Sequence, residues 1–303
     1  MEKPRILVSL TTKDNDYQRE LAAAAEHTAM KLGLDVQIIF ADNDAITQSQ
    51  QLLQAIQSRP EQRPHAIVFE PVGTGLPQVA AAALKANIGW VVMNREAEYL
   101  SELRGSAAVP VFAVSSDHVE IGRIQGRQFK QVLPEGGQLL YVQGPSSSSS
   151  AQQRTAGMLE TKPANVQVRM LNAQWTEQSA YQAALSFLRL RTSRENRIDA
   201  VGGQNDLMAL GVRKALKEVA SEWSWIPFTG VDGLAGTGQR WVNEGILNAT
   251  IIVPTLTDIA LSMLHHALIT KQQPPGQTFT KPKSYPELDK IKPKAKHAAL
   301  QHS

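Results

Sequence analysis

The feature that most constrains this chain is an alternation that runs almost its whole length. Short, continuous apolar runs rich in β-branched residues are each followed by a stretch with apolar residues at helical spacing. The first run, Ile6-Leu7-Val8-Ser9-Leu10, is unbroken, as expected of a strand covered on both faces in a parallel sheet. The stretch after it carries Leu21, Ala25, Ala29 and Leu32, and stops at Gly33, a residue suited to a left-handed helix end. The pair of signals then repeats: a strand at 36–40, a helix opened by Asp44 and carrying Ile46, Leu53 and Ile56, and a strand at 66–69. A loop with Pro71, Gly73, Gly75 and Pro77, an alanine-rich helix and a strand at 90–93 complete a βαβαβαβ pattern. Such a pattern predicts a parallel sheet with helices on both faces, and the right-handed crossover rule leaves few topologies open to it.

Residues 105–116 break the rhythm, with Pro110 and an apolar stretch at 111–114 that no long helix precedes, and read as a crossing to a second lobe. The alternation then restarts: a helix at 118–132, strands at 139–142 and 166–171, and a helix carrying Tyr181, Ala184, Leu185 and Leu188. A short strand at 200–201, a helix at 206–219, a strand at 226–231, a helix near 240–244 and a strand at 249–253 follow. The last clear helix carries Leu256, Ile259, Ala260, Met263, Leu264, Ala267 and Leu268. The expected fold class is therefore α/β, with two doubly wound parallel-sheet lobes joined by a hinge. One lobe is expected to hold 1–113 with 253–277, the other 114–252 with 278–303. In such sheets ligands bind at the carboxyl ends of the strands, and two lobes facing each other clamp a ligand by hinge motion. Hinges are expected near 111–116, near 250–254 and at Pro274-Pro275-Gly276.

Composition narrows the function classes. A chain of 303 residues is long enough for two lobes that each bury a core. It is 42% hydrophobic and 19% charged, values ordinary for a globular protein. The absence of cysteine excludes disulfides, thiolate metal sites and cysteine nucleophiles. The net charge is +3, and the bases are scattered apart from Lys281, Lys283, Lys290, Lys292, Lys294 and Lys296 near the end. That cluster reads as a solvated face or frayed end, with a polyanion contact as the lesser alternative. No nucleic-acid partner is expected, because no recognition motif accompanies the bases. No apolar run approaches the roughly 18 residues of a membrane helix. Met1-Glu2-Lys3-Pro4 leads straight into the first strand with neither an apolar signal core nor a cleavage site. The expectation is a periplasmic protein whose signal has been removed, and the alternative is a cytoplasmic one.

Three segments carry a family resemblance. Gly203-Gln204-Asn205-Asp206-Leu207-Met208-Ala209-Leu210-Gly211 resembles the "xxNDxMAxG" segment of type I periplasmic sugar-binding proteins and of LacI-type ligand lobes. Gly230-Val231-Asp232-Gly233 resembles their "GxDG" turn, and Gly245-Ile246-Leu247-Asn248-Ala249-Thr250-Ile251 their "GxLxATI" strand. They come in the family's order and at about its spacing, and the resemblance is closest to the ribose- and galactose-binding branch. A sugar offers hydroxyls that donate and accept, plus an apolar C–H face. Its site needs amides, carboxylates, Arg and aromatic faces, placed so that none is left unpaired.

The resemblance implies roles residue by residue. Asn205 becomes a ligand-facing amide and Asp206 the helix cap; the alternative is that Asp206 is only the N-cap and Asn205 a turn residue. Asp232 accepts from sugar hydroxyls, or is a plain Asp-Gly turn. Asp14-Asn15-Asp16-Tyr17-Gln18 takes the place of "NNPFF": Asn15 and Tyr17 match in type, Asp16 and Gln18 do not, and a simple helix-start loop is the alternative. Asn94-Arg95 takes the place of "DR" in "LDR", with Arg95 matching and Asn94 replacing an acid; a surface-loop Arg is the alternative. Glu70 stands where relatives place the polar residue of an "xNPxD" turn. A carboxylate there implies a more cationic or donor-rich ligand, or a solvent-facing side chain. Ser116-Asp117-His118 resembles the "SDN" helix start, with capping favoured. The five-serine run reads by itself as a flexible loop, and after it Ala151, Arg154 and Gly157 keep the spacing of "SAxxRxxG". Gln152 occupies the position where relatives commonly place a ligand-binding Arg. Trp175 falls where the family stacks an aromatic on the ligand, with packing as the alternative. The Gln usual after the "ATI" strand aligns near Val253. With Gln18, Glu70, Asn94 and Gln152 this makes a pocket unlike the ribose type.

An enzyme is the main rival class. The sequence has no GxGxxG, P-loop, HExxH or nucleophile elbow. His265-His266 point in adjacent directions and are poorly spaced as metal ligands, and the serine run lacks the glycines of a phosphate loop. No cofactor and no metal are expected. The second rival is a sensor or regulator ligand-binding domain without a DNA-binding head. The resemblance implies a monomer that binds a monosaccharide or derivative in an interlobe cleft, closes by hinge motion, and is read by an ABC permease or a membrane sensor.

Overall fold

The computed structural model describes residues 3–73, 76–95, 97–189, 197–219 and 225–293. Met1, Glu2, Gly75, Lys294 and Lys296, named above, lie outside these. The chain divides into two compact units. One comprises Met1–Asp117, Ser147–Ser150 and Pro254–Lys281, the other His118–Ser146, Ala151–Val253 and Pro282–Ser303.

The first unit is built on β1 (Arg5–Leu10), β2 (Asp35–Phe40), β3 (Ala66–Phe69), β4 (Gly89–Met93) and β5 (Val111–Ser116). Four helices connect them: α1 (Asp16–Leu32), α2 (Ala45–Gln57), α3 (Pro77–Lys85) and α4 (Tyr99–Ser106). The sixth strand, β11 (Gln277–Thr280), arrives from far along the chain and pairs parallel with β5. The sheet order is β11-β5-β4-β3-β1-β2, and every neighbouring pair is parallel. Strands β3, β4 and β5 are buried residue by residue, so covering on both faces explains their unbroken apolar runs. Their side chains meet α2 and α3 in a core centred on Phe69, Ile67 and Trp90. Each such side chain contributes roughly 1.5–3 kcal/mol by leaving water. Helix α1 ends where the sequence places its stop, with Gly33 left-handed at φ 67° and its N–H bonded to the Ala29 carbonyl.

The second unit holds α5 (His118–Val132), β6 (Gly137–Gln143), α6 (Ser149–Thr161) from Ala151 onward, β7 (Val166–Asn172), α7 (Glu177–Arg189), β8 (Ala200–Gly203), α8 (Asp206–Val219) and β9 (Phe228–Thr229). A parallel sheet runs β7-β6-β8-β9. After α9 (Arg240–Asn243), β10 (Thr250–Ile252) pairs antiparallel with β12 (Lys283–Tyr285). Helix α10 (Thr257–Thr270) belongs to the first unit and packs on α1, where Thr257 donates to the Leu21 carbonyl at 2.6 Å.

Two parallel-sheet units are the expected fold class. Three local expectations change. Residues 111–116 form a full strand between β4 and β11, and the short α4 precedes it. The strand expected at 226–231 shrinks to β9, because the chain beyond it continues only through isolated bridges, Thr229 to Ala249 and Asp232 to Ile252. The lysine-bearing end, expected as a solvated face or frayed end, keeps its lysines exposed as far as residue 293 but is not frayed there. Lys283 lies in β12, and Ile291 is buried in the core with Phe129, Leu139 and Tyr141.

Candidate functional site

In the first unit the polar residues gather beyond the carboxyl ends of β1, β3 and β4. Asn15 is the N-cap of α1, and its Oδ1 accepts from the backbone N–H groups of Tyr17 at 2.8 Å and Gln18 at 3.3 Å. The cap fixes the first helical turn and with it the Gln18 amide. Gln18 Oε1 accepts from the Thr11 N–H at 3.0 Å, while its Nε2 donates to Glu70 Oε2 at 2.8 Å. Glu70 follows β3. Its other oxygen, Oε1, accepts from Asn94 Nδ2 at 2.9 Å and lies 3.6 Å from Arg95 Nη1. Gln48 Nε2 donates to the Glu70 carbonyl at 2.8 Å, so backbone and carboxylate are both held. Asn94 sits after β4 in the left-handed region, φ 59°, and Arg95 Nη1 donates to its carbonyl at 2.7 Å. Tyr17 is buried and its hydroxyl donates to the Pro254 carbonyl at 3.2 Å.

The solvent-facing alternative for Glu70 is corrected: the residue is 3% exposed, and both carboxylate oxygens already serve donors of this unit. The structure thus joins Glu70, Asn94 and Arg95 into one cluster, with Asn15 and Tyr17 at the helix start beside its fourth member, Gln18.

In the second unit the organising residue is Gln204, fully buried after β8. Its Oε1 accepts from the Gly144 N–H at 2.9 Å. Its Nε2 faces the Ala151 carbonyl and Thr155 Oγ1, each at 2.9 Å, and the Tyr141 hydroxyl at 3.3 Å. The same Tyr141 hydroxyl donates to Gln125 Oε1 at 3.0 Å, and burial pushes this phenol upward from its ordinary pKa. Asn205, not Asp206, caps α8: its Oδ1 accepts from the Met208 N–H at 2.8 Å, and its Nδ2 donates to the Trp175 carbonyl at 2.9 Å. Asp206 is the first helical residue and points inward. Its Oδ2 accepts from the Gly233 N–H at 2.9 Å and its Oδ1 from the Thr250 hydroxyl at 2.6 Å. Burial, and after it the neighbouring Asp232 carboxylate, holds the Asp206 carboxyl well above the usual carboxylate range.

Trp175 adopts a left-handed φ of 64° and packs over Gly144, where a Cβ would come within 2.1 Å of the indole. Only glycine leaves that space. The Arg154 guanidinium lies 5.6 Å from the Trp175 ring centroid, a cation–π approach. Arg154 also donates from Nη1 to the Gln204 carbonyl, and its Nε lies 3.3 Å from His118 Nδ1. Asp232 takes φ 103°, with its N–H on the Ile251 carbonyl and its carbonyl receiving the Val253 N–H, each at 3.1 Å. Gln152 stands apart from this group: it is exposed, and its Nε2 donates to the Ser146 carbonyl at 2.7 Å.

Two groups escaped the sequence reasoning as site builders. Gln204 lies inside the quoted motif but has no periodic signal, and Gln18 registers there only as a departure from an aromatic. Among the described residues no cluster of His, Asp and Glu could hold a metal ion, and no helix is long and apolar enough to cross a membrane. What the two clusters offer is recognition chemistry: amides, a guanidinium, carboxyl groups and an indole at the ends of parallel strands.

Comparison with known proteins agrees in kind. The sequence pattern of the periplasmic binding protein domain matches residues 6–271. The ribose import binding protein of Escherichia coli strain K12 is 26% identical over 252 residues, 83% of this chain and 79% of that protein. The D-apiose import binding protein of Actinobacillus succinogenes is 23% identical over 253 residues, 82% of this chain and 76% of its own length. An ABC transporter periplasmic solute binding protein from Actinobacillus succinogenes 130z, solved with bound D-allose, superposes with a TM-score of 0.79 at 20% identity. The superposition covers 93% of this chain and 97% of that one.

Proposed function

This chain belongs to the periplasmic binding protein domain family, and from that premise we propose that it binds a monosaccharide or a close derivative for delivery to an ABC transporter. The observation that carries the proposal is the placing of both polar clusters. Each lies just beyond the carboxyl ends of parallel strands, Glu70, Asn94 and Arg95 in one unit and Arg154, Trp175, Asn205 and Asp232 in the other. A pyranose or furanose needs hydroxyl partners from amides, carboxyls and a guanidinium, and an aromatic face for its C–H side. Trp175 supplies that face.

A ligand held by such groups favours the conformation with which it interacts best, and a permease then reads the bound form. The site acts by binding and not by catalysis, on a monomer, in the periplasm and without a nucleic-acid partner. Asn15 and Tyr17 serve by shaping the first turn of α1, and Gln152 by the rim it forms with the serine loop.

A thermal-shift series against monosaccharides, polyols, amino acids and nucleosides tests this. Binding to the native state raises the melting temperature. The expected result is a rise with one carbohydrate class, absent in Asp232→Ala. Stabilisation by amino acids or nucleosides and by no carbohydrate overturns the proposal.

A further inference from the structure

We propose that Glu70 is a positioning residue that sets ligand charge selectivity: by holding Arg95 and Asn94 it withholds the guanidinium charge from the ligand and bars sugar acids. The inference rests on the sugar-binding proposal above and deepens it.

The geometry is specific. A carboxylate can accept several hydrogen bonds, and this one receives the amide groups of Gln18 at 2.8 Å and Asn94 at 2.9 Å on different oxygens. Arg95 Nη1 lies 3.6 Å from the oxygen that Asn94 also uses. The two charged side chains are 12% and 4% exposed, so solvent screens their attraction little. Glu70 is tied to three different strands' ends at once, through Gln18 after β1, its own backbone after β3, and Asn94-Arg95 after β4. Each of its carboxylate oxygens already serves an amide of this unit, and the side chain is buried. Its effect on a ligand passes through Arg95, which has five N–H donors and commits only Nη1 to these contacts.

The consequence follows from the chemistry of an arginine. A guanidinium with no anion beside it is the preferred partner of a carboxylate, which it grips through two parallel N–H groups. A guanidinium already facing a buried carboxylate offers hydrogen-bond donors without the net charge. Such a group suits hydroxyl and ring oxygens. A uronate placed there meets the Glu70 carboxylate as a like charge in a poorly solvated place.

The experiment compares neutral sugars with the acids made by oxidising their terminal carbon: D-galactose with D-galacturonate, D-glucose with D-glucuronate, and D-allose and myo-inositol as further neutral probes. Titration calorimetry is run on the whole chain, the Glu70→Gln variant, and a Glu70→Gln/Asn94→Asp double variant that returns a carboxylate to the same hydrogen bond. The original protein is expected to bind a neutral sugar and to show at least a hundredfold weaker binding of the acids. Glu70→Gln is expected to shift that ratio toward the acids by roughly tenfold or more, the equivalent of one charge-assisted contact. The double variant is expected to restore the neutral preference, which a merely structural role for Glu70 would not do.

Three results overturn the inference. One is an original protein that binds a uronate as tightly as its neutral sugar, a result that needs no folded variant and leaves the sugar-binding proposal standing. Another is a folded Glu70→Gln variant with an unchanged ratio, with the same consequence. The third is the absence of any carbohydrate binding by the original protein, which takes the sugar-binding proposal down as well.

Discussion

The two units bury a carboxyl group at the same kind of place and use it differently. Glu70 faces a cation and side-chain amides, Gln18, Asn94 and Arg95. Asp206 faces a backbone N–H, a threonine hydroxyl and a second acid, Asp232. In the first unit the partners are side chains, those of Gln18, Asn94 and Arg95. In the second the partners are the turns themselves: Gly230 and Gly238 pack so closely on Asp206 that a Cβ on either would meet its carboxylate within about 2.1 Å. Similar chemistry thus serves selectivity where it holds side chains and serves folding where it holds backbone. The second unit adds Gln204, whose four hydrogen-bond partners belong to β6, the loop after it and α6.

The contrast can be broken most sharply at Gln204. Gln204→Leu takes the partner of the buried Gly144 N–H, worth about 1–3 kcal/mol, and one bond each from Ala151, Thr155 and Tyr141, about 1 kcal/mol apiece. A loss of roughly 3–5 kcal/mol in urea unfolding is expected. Gln18→Leu in the first unit is expected to cost less than half as much and to disturb ligand binding instead. Equal losses would mean that the two clusters play the same role.

The two helix caps give a finer comparison. Asn15→Ala removes a cap and is expected to cost about 1 kcal/mol. Asn205→Ala removes a cap and the bond to the Trp175 carbonyl, and is expected to cost about 2 kcal/mol with a change in tryptophan fluorescence. Matching costs would show that the Trp175 carbonyl bond adds nothing.

Asp206 supplies a pH test. Its folded-state pKa is raised, mainly by burial, so the native state binds the proton more tightly than the unfolded chain does. The associated stability is full below the unfolded value, about 4, and is lost as pH rises toward and through the folded one. The urea midpoint should therefore fall over that range, and Asp206→Asn should flatten the fall. The asparagine keeps an acceptor for the Gly233 N–H and can donate to the Thr250 hydroxyl. An unchanged slope in the variant would assign the pH dependence elsewhere. The smallest effect is expected at Tyr17→Phe, which removes one 3.2 Å bond to the Pro254 carbonyl and should cost about 1 kcal/mol or less.

Local signals made much of the fold legible. Helices α5 and α8 begin and end at the residues that periodicity indicates, 118–132 and 206–219. The all-apolar strands β3 and β4 announce themselves because both faces are covered. Strands β11 and β12 do not, for Gln-Thr-Phe-Thr and Lys-Ser-Tyr carry no apolar run and gain their conformation from the partners they pair with. The site divides in the same way. Asn15, Arg95, Trp175 and Asp232 can be singled out from sequence motifs, yet the bond from Gln18 to Glu70 spans 52 positions and that from Gln204 to Gly144 spans 60. No pattern in one sequence reveals such partners. The helix cap went to the wrong neighbour for a related reason: Asn and Asp are both good caps, and only the packing of Gly233 and Thr250 draws Asp206 inward.

The late arrival of β11 has a consequence for how the chain is made. The first five strands of its sheet are complete by Ser116, but the strand that covers β5 comes only at Gln277. Beside that pairing, the Val111 N–H finds its partner Gln273 across 162 positions. At a synthesis rate of roughly 5–20 residues per second, the ribosome needs on the order of 8–30 s to supply it. Throughout that interval Val-Phe-Ala-Val is a bare apolar edge, the kind of strand that other chains can join. The first unit therefore begins first yet waits for its sixth strand until the whole of the second unit's parallel sheet has been made, and its nascent sheet stays open to chaperones until Thr280 has been translated.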